Sequence, residues 1–224
     1  MTTNQRTRIK ICGLTREADV DAAVDAGADA IGFVLYAKSP RAVSVLRAAE
    51  LARRLPPFVM PVCLFVNAEP ALLGAALQAL PQAMLQFHGD ETPVQCEALH
   101  HTTRRPYLRA ARMAPGFDLL DFAAAHASAA GILLDAHVEG YGGGGKAFDW
   151  SLIPANVARP VVLSGGLHPA NVIDGITHVR PWAVDVSSGV EIVNGPKGHK
   201  DAALMRQFCD AVREADARIA DADH

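Results

Sequence analysis

One pattern restricts the folds open to this chain more than any other. A short, continuously apolar run ends in a small or polar residue, an alanine- or leucine-rich amphipathic stretch follows, and the sentence repeats. The apolar runs lie at 9–12, 30–35, 60–66, 84–88, 107–110, 131–135, 160–164 and 182–186. Helical periodicity follows at 17–26, 45–55, 70–80, 93–100, 118–127, 169–176 and 201–219, and a short candidate at 149–153 is curtailed by Pro154. The runs do not alternate apolar with polar, so they read as parallel strands covered on both faces. Eight strand–helix units in 224 residues predict an α/β fold, a single (β/α)8 TIM barrel over 1–224 with little room for decoration. A doubly wound open sheet shares the alternation and is the second choice.

In a barrel of parallel strands, ligands bind where the strands end. The first run carries Lys10, ends in Cys12 and is bent away by Gly13. Cysteine is ordinarily a small buried hydrophobe, and on this stretch alone that is the stronger reading. At a strand's carboxyl end, however, a thiol faces the mouth. Lys10, two residues back, shares its face, where a cation could hold a thiolate. Two more strand ends carry acids, Asp135 after Gly-Ile-Leu-Leu and Asp185 within Ala-Val-Asp-Val-Ser. A carboxylate in an apolar strand is a candidate general acid or orienting group, with a satisfied loop cap as the plainer alternative. The seventh run ends in Ser164-Gly165-Gly166-Leu167 and the eighth in Ser187-Ser188-Gly189-Val190. Small residues there let backbone amides approach an anion, and barrels often hold phosphate at these two loops. Tight turn geometry is the competing explanation.

Several classes fall away. A net charge of -3 and a pI near 6.3 give no pull towards nucleic acid or an anionic membrane. The polar start, Met1 to Arg8, lacks the apolar centre of a signal peptide, and no apolar run approaches the roughly 18 residues of a membrane span. Cys12, Cys63, Cys96 and Cys209 lie far apart, which is neither a zinc spacing nor a disulfide framework. A cytoplasmic protein with free thiols and no metal is expected. The stretch from Gly140 to Ala147 imitates a mononucleotide P-loop and contains Gly-x-Gly-x-x-Gly. Ala147 replaces the hydroxyl that would hold magnesium, and no long helix opens behind it. A mobile loop beside a site suits its Tyr141 and Lys146 better than a plain spacer.

Taken together the residues resemble the N-(5'-phosphoribosyl)anthranilate isomerase family. The matches are Lys-Ile-Cys-Gly-Leu-Thr at 10–15, Gly-Phe-Val at 32–34, Lys-Ser-Pro-Arg at 38–41, Phe-Val-Asn at 65–67 and Gln-Phe-His-Gly at 86–89. Leu-Leu-Asp at 133–135, Gly-Lys-x-Phe-Asp-Trp at 145–150, Leu-Ser-Gly-Gly-Leu at 163–167 and Asp-Val-Ser-Ser-Gly-Val-Glu at 185–191 complete them in order. Gly144 stands where the family more often has Ser or Thr, and Cys63 where a small residue is usual. The resemblance implies a cofactor-free Amadori rearrangement of an aminoaldose phosphate in tryptophan biosynthesis. It makes Asp135 the general acid and Cys12 the general base. Arg41 would grip the anthranilate carboxylate, Asp185 would line the pocket near that end, and Gly165, Gly166, Ser188 and Gly189 would hold the phosphate. The implied partner is a small phosphosugar, with no nucleic acid or membrane, and the protein a monomer or homodimer. A neighbouring phosphosugar synthase would share the phosphate loops without needing the cysteine, and a non-catalytic phosphate-binding barrel would need neither Cys12 nor Asp135.

Overall fold

The computed structural model describes residues 6–136 and 148–222. Eight strands pair in chain order and close on themselves: β1 (Arg8–Cys12), β2 (Ala30–Val34), β3 (Met60–Phe65), β4 (Met84–Phe87), β5 (Tyr107–Met113), β6 (Gly131–Ala136), β7 (Val161–Leu163) and β8 (Ala183–Val186). Every pairing is parallel, including the closing one between β1 and β8, so the barrel expected from the repeat is formed and the open sheet is excluded. Helices α1 (Glu17–Ala26), α2 (Val45–Ala52), α3 (Pro70–Ala79), α4 (Pro93–Thr103), α5 (Leu119–Ala125), α6 (Val172–Val179) and α7 (Ala202–Ala222) run outside the strands. Among the described residues between β6 and β7 there is a 3-10 turn, Trp150–Leu152, kept short ahead of Pro154 as expected. The glycine stretch 140–146 lies outside the described residues.

The two-residue period of a strand divides each β sequence between two cores. Outward residues such as Ile9, Ile11, Ile31, Phe33, Phe65, Leu85, Phe87, Ile132 and Val184 pack with the helices in the larger one. Phe87 meets Tyr107 with ring centroids 5.3 Å apart. Inward residues are fewer and smaller: Leu108, Ala110, Leu133, Val162 and Ala183 fill the lumen, and Cys12, Val34, Leu64 and Val66 form a separate cluster. Cys63, the family's unusual residue, therefore belongs to the sheet–helix layer and not to the mouth.

Two element bounds differ from the sequence expectation for a physical reason. Strand β5 runs on through Arg112 to Met113 where the apolar run stops at Ala110, because Arg112 pairs in register with Asp135 and its Nη2 donates to Asp90 Oδ1 at 2.9 Å. Arg109 can be buried because its guanidinium donates to the carbonyls of Phe87, Gly89, Ala110 and Glu91, at 2.9–3.1 Å. Helix α6 starts at Val172 and not at Pro169, because Asn171 Oδ1 accepts from His168 N at 2.8 Å and closes a turn first. Side-chain caps start other helices. Thr92 and Gln95 form a capping box around Pro93, and Ser44 caps α2 by accepting from Arg47 N.

Buried His126 ends α5 with its ring 4.6 Å from that of Phe122, and its Nδ1 has no partner among the described residues. Burial, reinforced by the nearby Arg109 cation, lowers its pKa to about 4. The native state therefore refuses a proton that the unfolded chain accepts below about pH 6.5. This contribution is complete above that pH and disappears as pH falls towards 4. Urea unfolding should lose about 2–3 kcal/mol across the window, at 1.36 kcal/mol per unit. His126→Gln should remove that part of the slope, and an unchanged slope would place the acid sensitivity elsewhere.

Candidate active site

Strand β1 delivers Cys12 to the mouth, and its neighbour makes room for it. Cys12 lies in register with Gly32 of β2, and a Cβ on Gly32 would stand 2.6 Å from Cys12 Sγ. One step below, Lys10 is in register with Asp185 of β8, and its Nζ donates to Asp185 Oδ1 at 2.7 Å. Ser164, just after β7, donates to Asp185 Oδ2 at 3.3 Å. Lys10 and Asp185 are only 4% and 5% exposed, so neither charge has water to fall back on. Burial would lower the Lys10 pKa, but the charges of Asp185 and a Cys12 thiolate outweigh it and the net shift is upward. For Cys12 burial is the largest influence and pushes the pKa up, against Lys10, which pulls it down. The expected cation is in place beside the thiol, but it is shared with Asp185, and the resting state that the surroundings favour is the thiol.

Asp135 reaches the same mouth from β6. Its Oδ1 accepts from Ala136 N at 2.9 Å, and its Oδ2 lies 3.0 Å from His88 Nε2. Gln86 Nε2 sits 2.9 Å from His88 Nδ1, which places the ring proton on Nε2 and directs it at Asp135. Gln86 Oε1 then has no partner among the described residues. Turning the amide over would present that oxygen to Nδ1 instead. His88 and Gln86 were quoted in a motif without a role. Their place at the end of β4, the position Cys12 has on β1, was the available signal.

Arg41 comes from the loop after β2 and crosses the turn that follows Cys12: a Cβ on Gly13 would stand 2.7 Å from Arg41 Cδ. Half of its guanidinium fork is already engaged. Nε and Nη2 donate to the Glu191 carboxylate at 2.6 and 3.0 Å. The other edge, Nη1 with the second Nη2 hydrogen, is not used by Glu191. Glu191 also accepts from Gly198 N at 3.0 Å and lies 3.3 Å from Lys200 Nζ. Arg41 and Lys200 outweigh burial and keep the Glu191 pKa low, while burial carries the Lys200 pKa down to about 8. Neither residue was singled out by role, although a glutamate inside Gly-Val-Glu-Ile-Val is the kind of charge that needs a partner.

The two glycine-bearing loops meet. Gly165 and Gly166 both have positive φ, 77° and 68°, where any other residue is strained. A side chain on Gly165 would strike Ala136 N and crowd Asp135 Oδ1, and one on Gly189 would strike the carbonyl of Leu167. Close packing is thus a second reason for these glycines. Ser188–Val190 forms a 3-10 turn, whose first amides have no acceptor within it. The barrel ends bring Cys12, Asp135, Asp185, Arg41 and both loops to one mouth. Among the described residues no group of His, Cys, Asp or Glu is placed to hold a metal ion, and no helix is long and apolar enough to cross a membrane.

Known proteins share this chain's fold and much of its sequence. Residues 9–211 match the family model described as N-(5'phosphoribosyl)anthranilate (PRA) isomerase. The N-(5'-phosphoribosyl)anthranilate isomerase of Methylibium petroleiphilum is 72% identical over 215 residues, 96% of this chain and 98% of that protein. The crystal structure of phosphoribosyl anthranilate isomerase from Thermotoga maritima superposes with a TM-score of 0.84 at 40% identity, covering 93% of this chain and 99% of the other. A phosphoribosyl anthranilate isomerase in complex with reduced 1-(o-carboxyphenylamino)-1-deoxyribulose 5-phosphate gives 0.81 at 37% identity, covering 93% and 99%.

The thiols should separate by titration. Cys63, Cys96 and Cys209 are pushed by burial to about 12, 11 and 11 and should resist alkylation in the native protein. Cys12 should react with iodoacetamide at a rate that keeps climbing above the ordinary thiol value of about 8.5. Lys10→Met should move its half-point higher still, followed by mass spectrometry of the labelled peptide. A half-point unmoved by that change would mean that Lys10 serves only Asp185.

Proposed function

The chain belongs to the N-(5'-phosphoribosyl)anthranilate isomerase family, and we propose that Cys12 and Asp135 are the base and the acid of its reaction. It is an enzyme of tryptophan biosynthesis and converts N-(5'-phosphoribosyl)anthranilate into 1-(2-carboxyphenylamino)-1-deoxyribulose 5-phosphate by an Amadori rearrangement. The observation that carries the assignment is that a thiol and a carboxyl group end β1 and β6 at one barrel mouth.

The reactive form of the site carries its proton on Asp135 with Cys12 ionised; Asp135 gives that proton to the ribose ring oxygen, the C1'–O bond breaks, and an iminium forms between C1' and the anthranilate nitrogen. Cys12, as thiolate, removes the proton from C2'. The resulting enolamine takes a proton at C1' and loses the hydroxyl proton at C2', which leaves the ketone. Lys10 stabilises the thiolate while it exists, and Asp185 acts through Lys10 at the anthranilate end of the pocket. Arg41 binds the anthranilate carboxylate through its Nη1–Nη2 edge, a bidentate task for a guanidinium. The amides of Gly165, Gly166, Ser188 and Gly189 hold the phosphate. We take 1–224 as one barrel domain, cytoplasmic, monomeric or homodimeric, with the phosphosugar as its partner and no cofactor.

The assay is loss of substrate fluorescence. Cys12→Ser should lower kcat by about 10²–10⁴ while reduced product still binds, because serine keeps the shape and is a far weaker base near neutral pH. Asp135→Asn should lose a similar factor, since an amide cannot deliver the ring-opening proton. Replacing Cys63, Cys96 or Cys209 singly should leave turnover near the parent value. Either site variant turning over at the parental rate overturns the roles.

The phosphate assignment has its own test. Inorganic phosphate should inhibit competitively, and Gly166→Val, which strains the loop, should raise KM more than it lowers kcat. Noncompetitive inhibition, or normal binding by Gly166→Val, would move the phosphate to another place.

A further inference from the structure

We propose that Glu191 is a positioning residue for substrate selection: by filling one edge of the Arg41 guanidinium it aims the opposite edge at the ring carboxylate. This rests on the reading of Arg41 as the carboxylate contact and explains how that contact is given a fixed direction.

A long arginine side chain reaching over a glycine turn has rotamer freedom that a specific bidentate contact must first remove. Here it is removed by a second carboxylate. Glu191 takes Nε and Nη2 at 2.6 and 3.0 Å, with both side chains almost wholly buried. A planar guanidinium held by that edge leaves Nη1 and the outer Nη2 hydrogen as the parallel donor pair. Glu191 is itself fixed from several sides. Gly198 N donates to it, and Lys200 Nζ, fully buried, adds a contact at 3.3 Å. Lys200 also donates to the Ser187 carbonyl at 2.9 Å, and Ser187 Oγ donates to the Cys12 carbonyl at 3.0 Å. Glu191 and Lys200 face each other across an antiparallel bridge that closes the segment 191–200. The aim of Arg41 is therefore referred to the strand end that bears the thiol and to the start of the Ser188–Val190 turn.

The alternative is that Glu191 only balances charge. Then its removal would leave Arg41 more positive and draw a carboxylate in more strongly. Positioning predicts the reverse for Glu191→Gln, because an amide in place of that carboxylate sets its own N–H donors against those of the guanidinium and releases the fork.

The experiment measures binding of reduced 1-(2-carboxyphenylamino)-1-deoxyribulose 5-phosphate and of its counterpart without the ring carboxylate. Glu191→Gln should weaken the first roughly tenfold, the scale of a charge-assisted bond, and leave the second within about twofold. In turnover the loss should appear mainly in KM. Arg41→Met should show the same selectivity, and the double variant should lose no more than Arg41→Met alone. If Arg41→Met weakens both ligands equally, the reading of Arg41 itself fails. If Arg41→Met is selective and Glu191→Gln binds the carboxylate ligand unchanged or more tightly, Glu191 does not aim the arginine. Equal weakening of both ligands by Glu191→Gln makes it a general prop of the mouth and also overturns the proposal. Should Glu191→Gln not fold, Glu191→Asp, which keeps the charge and shortens the reach, carries the same comparison.

Discussion

A lysine ammonium buried against an aspartate carboxylate, Lys10 on Asp185 at 2.7 Å, lies on the seam where the first strand of the barrel meets the last. Two buried charges are tolerated only if each completes the other, and removing one partner alone costs several kcal/mol. The pair therefore fixes more than itself. Its register sets Cys12 one step above it on the same face, with Gly32 beside the thiol to leave space. It also decides what the thiol is at rest, since a cation already bound to a carboxylate has less to give to a neighbouring sulfur. The form of Cys12 that these surroundings favour is the thiol.

A second buried carboxylate, Glu191, performs a comparable service for the loops. Strands hold side chains by register, whereas Arg41 sits on a loop and needs another anchor. Glu191, Lys200 and Ser187 supply it and tie Arg41 to the β1 terminus. The mouth thus combines rigid groups delivered by strands, namely Cys12, Asp135 and Asp185, with one long side chain held by an ionic brace.

Much of this was legible in the chain. Eight uninterrupted apolar runs can be satisfied only by strands covered on both faces, and that requirement predicted the barrel and the strand-end position of Cys12 and Asp135. What escaped was relational. That Lys10 pairs with Asp185 follows from inter-strand register, which a single sequence does not state. The partners of Arg41 and Asp135, Glu191 and His88, lie 150 and 47 residues away. The end of β5 was missed because the apolar run stops before Arg112, whose place in the strand rests on its register with Asp135 and its contact with Asp90. The start of α6 was missed because Asn171 closes a turn before it caps anything.

The position of that lysine–aspartate pair also has a bearing on how the protein is made. Its members are 175 residues apart, and the strands that carry them cannot meet until nearly the whole chain has left the ribosome. Closing so long a loop is not itself expensive, at about 0.6 kcal/mol for each doubling, but it is among the slower kinds of contact to form. An incomplete chain of six or seven units would hold a thiol, an arginine and a carboxyl group with no seam to organise them. In such a fragment the Lys10–Asp185 contact is missing, so the geometry of the mouth is set only when the last strand closes the ring.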